Sequence, residues 1–529
     1  MKAALLLILG LAVFPVSAIG APNTTAETAG TVVIYNRNDP SAKNLADFYC
    51  SARGIDPSHE IPIAAPLREE ISRGEYDDLI AHPIREEFIR RGYWFVTLDM
   101  MNRPILYAST IRYVALIRGL PLKIIQCSDY PGDSKTQPDP YGGCNAASVD
   151  SELSVLGHFS PQISGILQNP LYHETYQSPE DGKIPPGMLF VSRLDGPTDF
   201  SVREMINNGI RAENDGLWGW GYIDLRSLDV QGYARGDRWI RVAGEEMRKN
   251  GIPVISDDLP ETLQAGFPVT DASAYYGWYA ENLDGPFANP QFQFVQGAVA
   301  VHLHSYSAST LHDPKKGWTG PLVFHGASAT LGNVYEPYLP FTTDLGVFAT
   351  ALLSGRNLAE SYYAAQPALS WMSICVGDPL YRPYAAWYSR DPKLPQSQTI
   401  WSDYRAIILA HGGDTLAAAT ELKAQSVRKK ESLYLEALGA AQMDQGSLDA
   451  AEGSFREASA LTKDLTVEFR ILLEQSRAIE KQGKGMIAEK LLKEHMTRFA
   501  QPAQQALLRS WIKRMESPFP TPAPSTTNR

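Results

Sequence analysis

The sequence has 529 residues, a formal net charge of -11 and 20% charged residues. This length predicts more than one domain, with enough apolar residues for a large core. No block rich in lysine and arginine occurs, so the composition argues against a nucleic-acid partner.

Residues 1–18 have the pattern of a secretory signal peptide. Lys2 supplies the charge, residues 3–14 are apolar, and a small-residue cleavage site ends at Ala18. The apolar run is too short for a comfortable membrane span, although an uncleaved anchor is an alternative. We therefore expect an exported chain without a membrane span after cleavage, in the periplasm, at the cell surface or outside the cell.

Short apolar strands alternate with helical patterns through the first half of the chain. The pattern predicts strands at residues 31–35, 113–117 and 188–192, and helices at residues 42–53, 69–91, 201–214 and 238–250. This alternation is typical of a mostly parallel sheet with helices on both faces. We assign residues 31–385 to one α/β domain.

The composition changes after Pro383, where alanine, leucine, glutamate and lysine replace glycine, proline and aromatic residues. Small residues between Leu435 and Leu461 have the spacing of a tetratricopeptide repeat, in which two antiparallel helices pack closely. We predict an all-α helical repeat domain of five or six helices over residues 402–515, with a plain helical bundle as the alternative. The Pro/Ser/Thr-rich tail, residues 517–529, is expected to be disordered.

The four cysteines suit an oxidising compartment. Cys127 and Cys144 bracket a loop rich in Asp, Pro and Gly, so we expect a disulfide across that loop. Cys50 and Cys375 are expected to be buried thiols. The cysteine spacing fits no zinc motif, and we expect neither a metal nor a cofactor.

Residues 275–339 contain three strand-like runs that stop abruptly in small and polar residues. In an α/β fold such stops lie at the carboxyl ends of strands, where ligands bind. We therefore predict a cleft at these strand ends. Its candidate binding residues are Asn36, Arg118, Asp150, Glu152, Trp278 and His302, and its candidate catalytic residues are His304, Ser328 and Ser305.

Two histidines and two carboxylates carry most of the candidate chemistry. Strand alternation would put His302 and His304 on one face, where either could be a general base or a metal ligand. The alternative is a hydrogen-bonded pair without a catalytic role. Asp150 and Glu152 could bind a cation or orient a base; if a helix starts there instead, Ser148 caps it and the acids favour its dipole.

Residues 31–384 resemble an uncharacterised family of exported bacterial proteins, found in species that carry the exosortase protein-sorting system. The resemblance rests on segments such as VVIYNRNDPSAKNLADFYCSARGI, YVALIRGLPLKI, ASVDSELSVLG, YYGWYAENLDGPF and LSWMSICVGDPLYRP. That family has no established activity. The resemblance implies export and a role linked to cell-surface protein sorting.

A more distant resemblance is to gingipain-type cysteine peptidases of the caspase-like fold. It rests on the order of the segments VVIYN, YVALIRGLP, SVDSELSVL, SRLDGPTDF and SWMSICVGDPLYRP. These peptidases carry a histidine and a cysteine after consecutive strands. In our preferred register Trp278 holds the histidine position, and His304 or Ser305 lies near the cysteine position. A shifted register would make His304 the base and Ser328 the nucleophile.

The favoured interpretation is a caspase-like domain without a Cys–His dyad, acting as a binding or scaffolding module. The helical repeats would hold a protein or peptide partner in their concave face. One alternative is a peptidase or other hydrolase that uses His304 with Ser328 or Ser305. A second alternative is a metal-dependent hydrolase that uses His302, His304 and Asp150.

Overall fold

The computed structural model describes residues 24–127, 144–159, 165–173, 184–228, 230, 232–388 and 399–516. The predicted signal peptide and the predicted disordered tail lie outside these residues. Within the part of the chain that is described, no helix combines the length and the apolar character that a membrane crossing requires.

A ten-stranded sheet forms the centre of the α/β part. Its strands are β1 (Thr31–Asn36), β2 (Glu60–Ile63), β6 (Tyr113–Ile117), β10 (Phe190–Leu194), β11 (Trp220–Asp224), β12 (Val254–Asp257), β13 (Ala272–Trp278), β14 (Val299–Leu303), β15 (Ala329–Asn333) and β17 (Ser373–Gly377). Smaller sheets consist of β3 (Glu70–Ile71) with β7 (Lys123–Ile124) and β8 (Ala147–Ser148), of β4 (Trp94–Leu98) with β5 (Pro104–Ser109), and of β9 (Leu167–Gln168) with β16 (Ala368–Leu369).

Helices cover the sheet and form the whole C-terminal region. In the α/β part they are α1 (Thr24–Ala29), α2 (Ala42–Arg53), α3 (Arg73–Tyr76), α4 (His82–Arg90), α5 (Val149–Ser154), α6 (Asp199–Asp215), α7 (Tyr233–Lys249), α8 (Thr319–Phe324), α9 (Leu345–Leu353), α10 (Leu358–Ala365) and α11 (Ala385–Tyr388). The C-terminal helices are α12 (Ile400–Ala410), α13 (Ala419–Lys429), α14 (Leu433–Asp444), α15 (Leu448–Ser459), α16 (Leu465–Lys481), α17 (Gly485–His495) and α18 (Pro502–Glu516).

The large sheet consists of two five-stranded halves that run in opposite directions. The spatial order is β2-β1-β6-β10-β17 in one half and β15-β14-β13-β11-β12 in the other. Strands are parallel within each half, and β15 meets β17 in an antiparallel pair. The carboxyl ends of the two halves therefore lie at opposite edges of the sheet. The predicted mostly parallel α/β sheet is confirmed, and so is the all-helical region that follows it.

Each half repeats the order 2-1-3-4-5, which is a doubly wound arrangement. In such a sheet a ligand crevice forms where the strand order reverses, outside the carboxyl ends of the first and third strands. In the second half this point lies between β11 and β13. The sequence stretch of residues 275–339 supplies β14, β15 and the end of β13, so it lies at this point.

The C-terminal helices form a layer that is packed on the second half of the sheet. One apolar cluster contains residues from both parts, including Trp220, Tyr222 and Tyr275 from the strands and Tyr434, Leu438, Phe469 and Leu473 from the helices. Buried arginines on α16 cross the boundary, because Arg470 donates to the Tyr222 hydroxyl at 3.1 Å and Arg477 donates to the carbonyl of Ser256 at 3.0 Å. The two parts therefore share one core.

This packing changes the expectation for the helical repeats. Residues of α14 from Leu433 to Met443 are all buried, and most of α16 is buried as well. These helices pack on the sheet, so their buried faces are not open to a partner. The number of helices was also underestimated, since residues 399–516 form seven.

The predicted disulfide between Cys127 and Cys144 is not formed in the structure. The ends of that loop are joined instead by Asn145. Its side-chain amide donates to the carbonyl of Cys127 at 2.8 Å and accepts from the Cys127 N–H at 2.8 Å. Cys50 and Cys375 are buried free thiols, as predicted.

Candidate functional site

A cleft of about 170 Å³ opens at the carboxyl ends of β13, β14 and β15. It lies beside the point between β11 and β13 where the strand order reverses. Its lining includes Tyr233, Trp278, Tyr279, Leu303, His304, Ser305, Asn333 and Glu336. Of the predicted site residues, Trp278, His304 and Ser305 line this cleft.

Trp278 is fixed against helix α7. Its indole N–H donates to the Asp237 carboxylate at 2.9 Å, and the same carboxylate accepts the backbone N–H groups of Arg226 and Ser227 at 2.8 Å each. Gly236 permits this contact, since a Cβ at that position would overlap the indole ring. A rigid aromatic side chain therefore forms part of the cleft wall.

His304 follows the end of β14 and is partly buried. Its Nδ1 contacts the carbonyl oxygen of Ser305 at 2.5 Å, and its ring centroid lies 4.8 Å from that of Tyr279. Burial lowers the pKa of His304, although the contact with the Ser305 carbonyl partly opposes this shift. Among the described residues, no hydrogen bond joins the His304 ring to a serine or cysteine side chain. The neutral imidazole therefore has no activated nucleophile beside it.

Ser328 lies far from His304, so the shifted register is wrong. Ser328 precedes β15, and its N–H donates to the carbonyl of Ala298, the residue before β14. His304 comes after the other end of the same strand. Five strand residues separate these levels, which corresponds to about 16 Å. Ser328 is also only 1% exposed.

His302 does not share the cleft with His304. Strand β14 ends at Leu303, so strand alternation does not extend to His304. The His302 ring stacks on Trp318 with centroids 3.6 Å apart, and its Nδ1 lies 2.9 Å from the Tyr275 hydroxyl. Burial lowers its pKa well below the usual value for histidine. His302 is therefore a buried, hydrogen-bonded histidine without access to a ligand.

Asp150 and Glu152 have structural roles in the first half of the sheet. They lie in α5, which Ser148 caps by accepting the Ser151 N–H at 3.0 Å. Asp150 pairs with buried Arg193, and Glu152 lies 2.6 Å from a guanidinium nitrogen of Arg73. Because arginines already match both carboxylates, the predicted cation-binding role is wrong and the capping alternative is correct.

The same positions argue against the metal-dependent alternative. Asp150 is held in the other half of the sheet, and His302 uses Nε2 to accept the N–H of Ala280 at 2.9 Å. Across the described ranges, no group of three histidine, cysteine, aspartate or glutamate side chains is arranged to hold a metal ion. His302, His304 and Asp150 are not brought together.

Asn36 and Arg118 belong to the opposite edge of the sheet and do not line the cleft. The Asn36 side-chain amide donates to the carbonyl of Gly119 at 2.9 Å and accepts the Ala65 N–H at 3.1 Å. Arg118 donates to the carbonyl of Gly196 at 3.0 Å. Both side chains hold loops together at the ends of β1, β6 and β10.

Several cleft residues were not among the predicted ones, including Tyr233, Tyr279, Asn333 and Glu336. Tyr279 and Asn333 directly follow or end strands of the 275–339 stretch, so their position was a usable signal. Tyr233 begins α7, and only the spatial order of β11 and β13 brings it to the cleft. Glu336 reaches the cleft from the loop after β15.

A second polar cluster was also missed. His312 Nε2 lies 3.0 Å from Oδ1 of buried Asp195, and its Nδ1 lies 3.6 Å from the Glu69 carboxylate. Arg118 lies 3.8 Å from the same aspartate. This cluster ties the loop after β14 to the end of β10.

No protein-family model matches the sequence, and no curated protein matches it. A solved structure described as "Structure of Protease" has a TM-score of 0.33 and 11% sequence identity, covering 68% of this chain and 79% of that chain. A likeness at this level assigns no activity to the chain.

Proposed function

We propose that the protein is an exported, non-catalytic binding protein whose cleft takes one side chain of a peptide. The observation that carries this proposal is the aromatic cleft at the reversal of strand order, with Trp278 fixed in its wall. Its volume of about 170 Å³ is below the range of about 300–1,000 Å³ typical of pockets for drug-sized ligands. One amino-acid side chain is the group of matching size.

The chemistry of the lining supports an aromatic or aliphatic side chain as the bound group. Tyr233 and Tyr279 provide accessible aromatic surface beside the buried Trp278, and aromatic rings gain further from offset or edge contacts with one another. Ser305 provides a polar group at the same cleft, which suits the backbone of a bound peptide. Burial of the apolar side chain would supply most of the affinity.

The arrangement favours binding over hydrolysis. A serine nucleophile needs a base within hydrogen-bond reach of its hydroxyl. His304 directs Nδ1 at the backbone carbonyl of Ser305, and Ser328 lies at the opposite end of the strand. We extend the proposal to a caspase-like α/β part, tetratricopeptide-like helices and a role in cell-surface protein sorting, which rest on the sequence resemblances alone.

The test is a titration of the full-length chain with fluorescein-labelled peptides that differ at one central position. We expect peptides with a central Phe, Tyr or Leu to bind more tightly than those with Gly or Asp. Tyr279→Ala should weaken that binding about tenfold, since an aromatic wall is lost. Tyr107→Ala is the matched control, because Tyr107 is 58% exposed on the distant strand β5.

The same peptides also test whether the protein catalyses peptide cleavage. Incubation with wild type and His304→Ala, followed by mass spectrometry, should show no cleavage that depends on His304. Cleavage that His304→Ala abolishes would overturn the non-catalytic proposal. Equal affinity of wild type and Tyr279→Ala for every peptide would overturn the binding proposal.

A further inference from the structure

Ala280 directly follows Tyr279 of the cleft wall, and two stacked side chains hold both of its backbone polar groups. The N–H of Ala280 donates to Nε2 of His302 at 2.9 Å, and its carbonyl accepts the Trp318 indole N–H at 2.8 Å. The rings of His302 and Trp318 stack at 3.6 Å with 7° between their planes. His302 and Trp318 thus form a clamp on Ala280, which lies beneath the cleft, on the other side of β14.

The tautomer of His302 follows from these contacts. Because Nε2 accepts the Ala280 N–H, the ring proton must be on Nδ1, which then donates to the Tyr275 hydroxyl oxygen at 2.9 Å. The Tyr275 hydroxyl donates in turn to the Asp224 carboxylate at 3.0 Å. In this chain of hydrogen bonds each group has a fixed role as donor or acceptor, so Nε2 of His302 is held in place as the acceptor.

The contacts of His302 and Trp318 with Ala280 lie just beyond the point where the pairing of β13 with β14 ends. The last register pair of β13 and β14 is Trp278 with Leu303. Tyr279 and Ala280 lie beyond that pair, so the strand ladder does not hold them. The Tyr279 ring is 41% exposed, yet it lies 4.8 Å from His304 and 5.3 Å from Tyr233. Its position therefore depends on how the backbone at Ala280 is fixed.

We propose that His302 is a positioning residue for the cleft: by accepting the Ala280 N–H it sets the Tyr279 ring against His304. What the cleft binds rests on the proposed function, whereas the positioning itself does not. His302 does not line the cleft and acts through Ala280. A buried residue outside the cleft thereby determines the shape of the cleft wall.

Two substitutions of His302 distinguish the two hydrogen bonds that its ring makes. The amide of His302→Gln reaches the level of Nε2 and can accept the Ala280 N–H. The shorter side chain of His302→Asn reaches only the level of Nδ1. It can therefore contact Tyr275 but loses the hydrogen bond from the Ala280 N–H. In full-length His302→Asn we expect the Ala280 amide to exchange its hydrogen about tenfold faster than in wild type, since one buried hydrogen bond is lost. His302→Gln should stay near wild type.

The His304 ring gives a second, spectroscopic readout. Displacement of Tyr279 admits water to His304, so its pKa measured by NMR should rise toward the ordinary value in His302→Asn and stay low in His302→Gln. Trp318→Phe keeps a stacked ring but removes the donor to the Ala280 carbonyl. Trp318→Phe should also speed amide hydrogen exchange at residues 279–281, and it provides the test if His302→Asn does not fold.

The outcomes are distinct. If His302→Asn is folded and both the Ala280 exchange and the His304 titration match wild type, the positioning role is wrong. If His302→Gln and His302→Asn lose both readouts equally, with equal loss of unfolding free energy, His302 is only a packing residue and the proposal is again wrong. Both readouts are taken without a peptide. A protein that shows the expected changes but binds no peptide therefore refutes the proposed function and leaves the positioning role intact.

Discussion

His312 joins the loop after β14 to the first half of the sheet through Asp195 and Glu69. Burial alone would lower its pKa, but the hydrogen bond to Asp195 and the charges of Asp195 and Glu69 raise the pKa overall, against the opposing charge of Arg118. Because the folded pKa lies above the unfolded value of about 6.5, protonation of His312 stabilises the fold. This contribution is complete below the unfolded pKa and is lost as the pH rises through the folded pKa.

The expected result is a pH-dependent penalty for His312→Gln. The difference in unfolding free energy from wild type should be larger at about pH 5.5 than at about pH 9, as measured by denaturant titration at both values. His82→Gln is the control, because His82 is 67% exposed and its surface pair with Glu86 contributes little. Equal penalties for His312→Gln at the two pH values would contradict the assigned Asp195 contact.

Among the helices, the contact between α14 and α15 makes the sharpest prediction. A Cβ at Gly439 would lie 2.8 Å from the Phe455 ring, so the two helices touch at a glycine. Gly439→Ala should destabilise the protein by about 1–3 kcal/mol, since the buried Phe455 ring must shift. Gly453→Ala on the adjacent helix meets only the end of the Arg456 side chain at 4.0 Å and should stabilise by about 0.5–1 kcal/mol through helix propensity.

Thermal or denaturant unfolding of the two glycine variants would check both signs at once. The pair is informative because both substitutions add one methyl group to neighbouring helices of the same region. Destabilisation by both variants would show that added volume, rather than the Phe455 contact, sets the cost. A stabilising Gly439→Ala would show that α14 and α15 do not approach at this position.

Elements with local signals were predictable from the sequence, whereas the pairing of elements was not. The predicted helix at residues 42–53 matches α2, which ends at Gly54 in the left-handed conformation that glycine favours. The predicted strand at 188–192 was displaced by two residues, and the helix predicted from residue 238 begins at Tyr233. The antiparallel meeting of β15 and β17 depends on contacts between distant segments, which local patterns do not encode.

The candidate site shows the same division. Trp278 ends β13 and His304 directly follows β14, so the sequence could bring them to one edge. His302 and Asp150 were assigned to the cleft because polar residues near strand ends suggest function. Their partners in the structure give both residues structural roles. Arg193 on a later strand forms an ion pair with Asp150, and the backbone N–H of Ala280 donates a hydrogen bond to His302. Such partners become visible only once the strands are paired.

For the whole molecule, the shared core of the sheet and the C-terminal helices implies one cooperative unit. Arg470 and Glu436 on α16 and α14 form an ion pair at 2.6 Å, and both side chains are 1% exposed. The Arg470 guanidinium also contacts β11, where it lies over the Trp220 ring at 4.9 Å. Loss of this arginine would leave the Glu436 carboxylate buried without its partner, at a cost of about 3–5 kcal/mol.

We therefore expect Arg470→Met to lower the unfolding temperature of the entire chain in a single transition. Differential scanning calorimetry and circular dichroism should report the same shifted midpoint, since the helices and the sheet unfold together. Arg498→Met is the matched control, because its pair with Glu468 lies on the surface with the Arg498 side chain 52% exposed and should contribute at most about 1 kcal/mol. Two separate transitions, of which Arg470→Met moves only one, would show that the helical layer is an independent domain that docks on the sheet without completing its core.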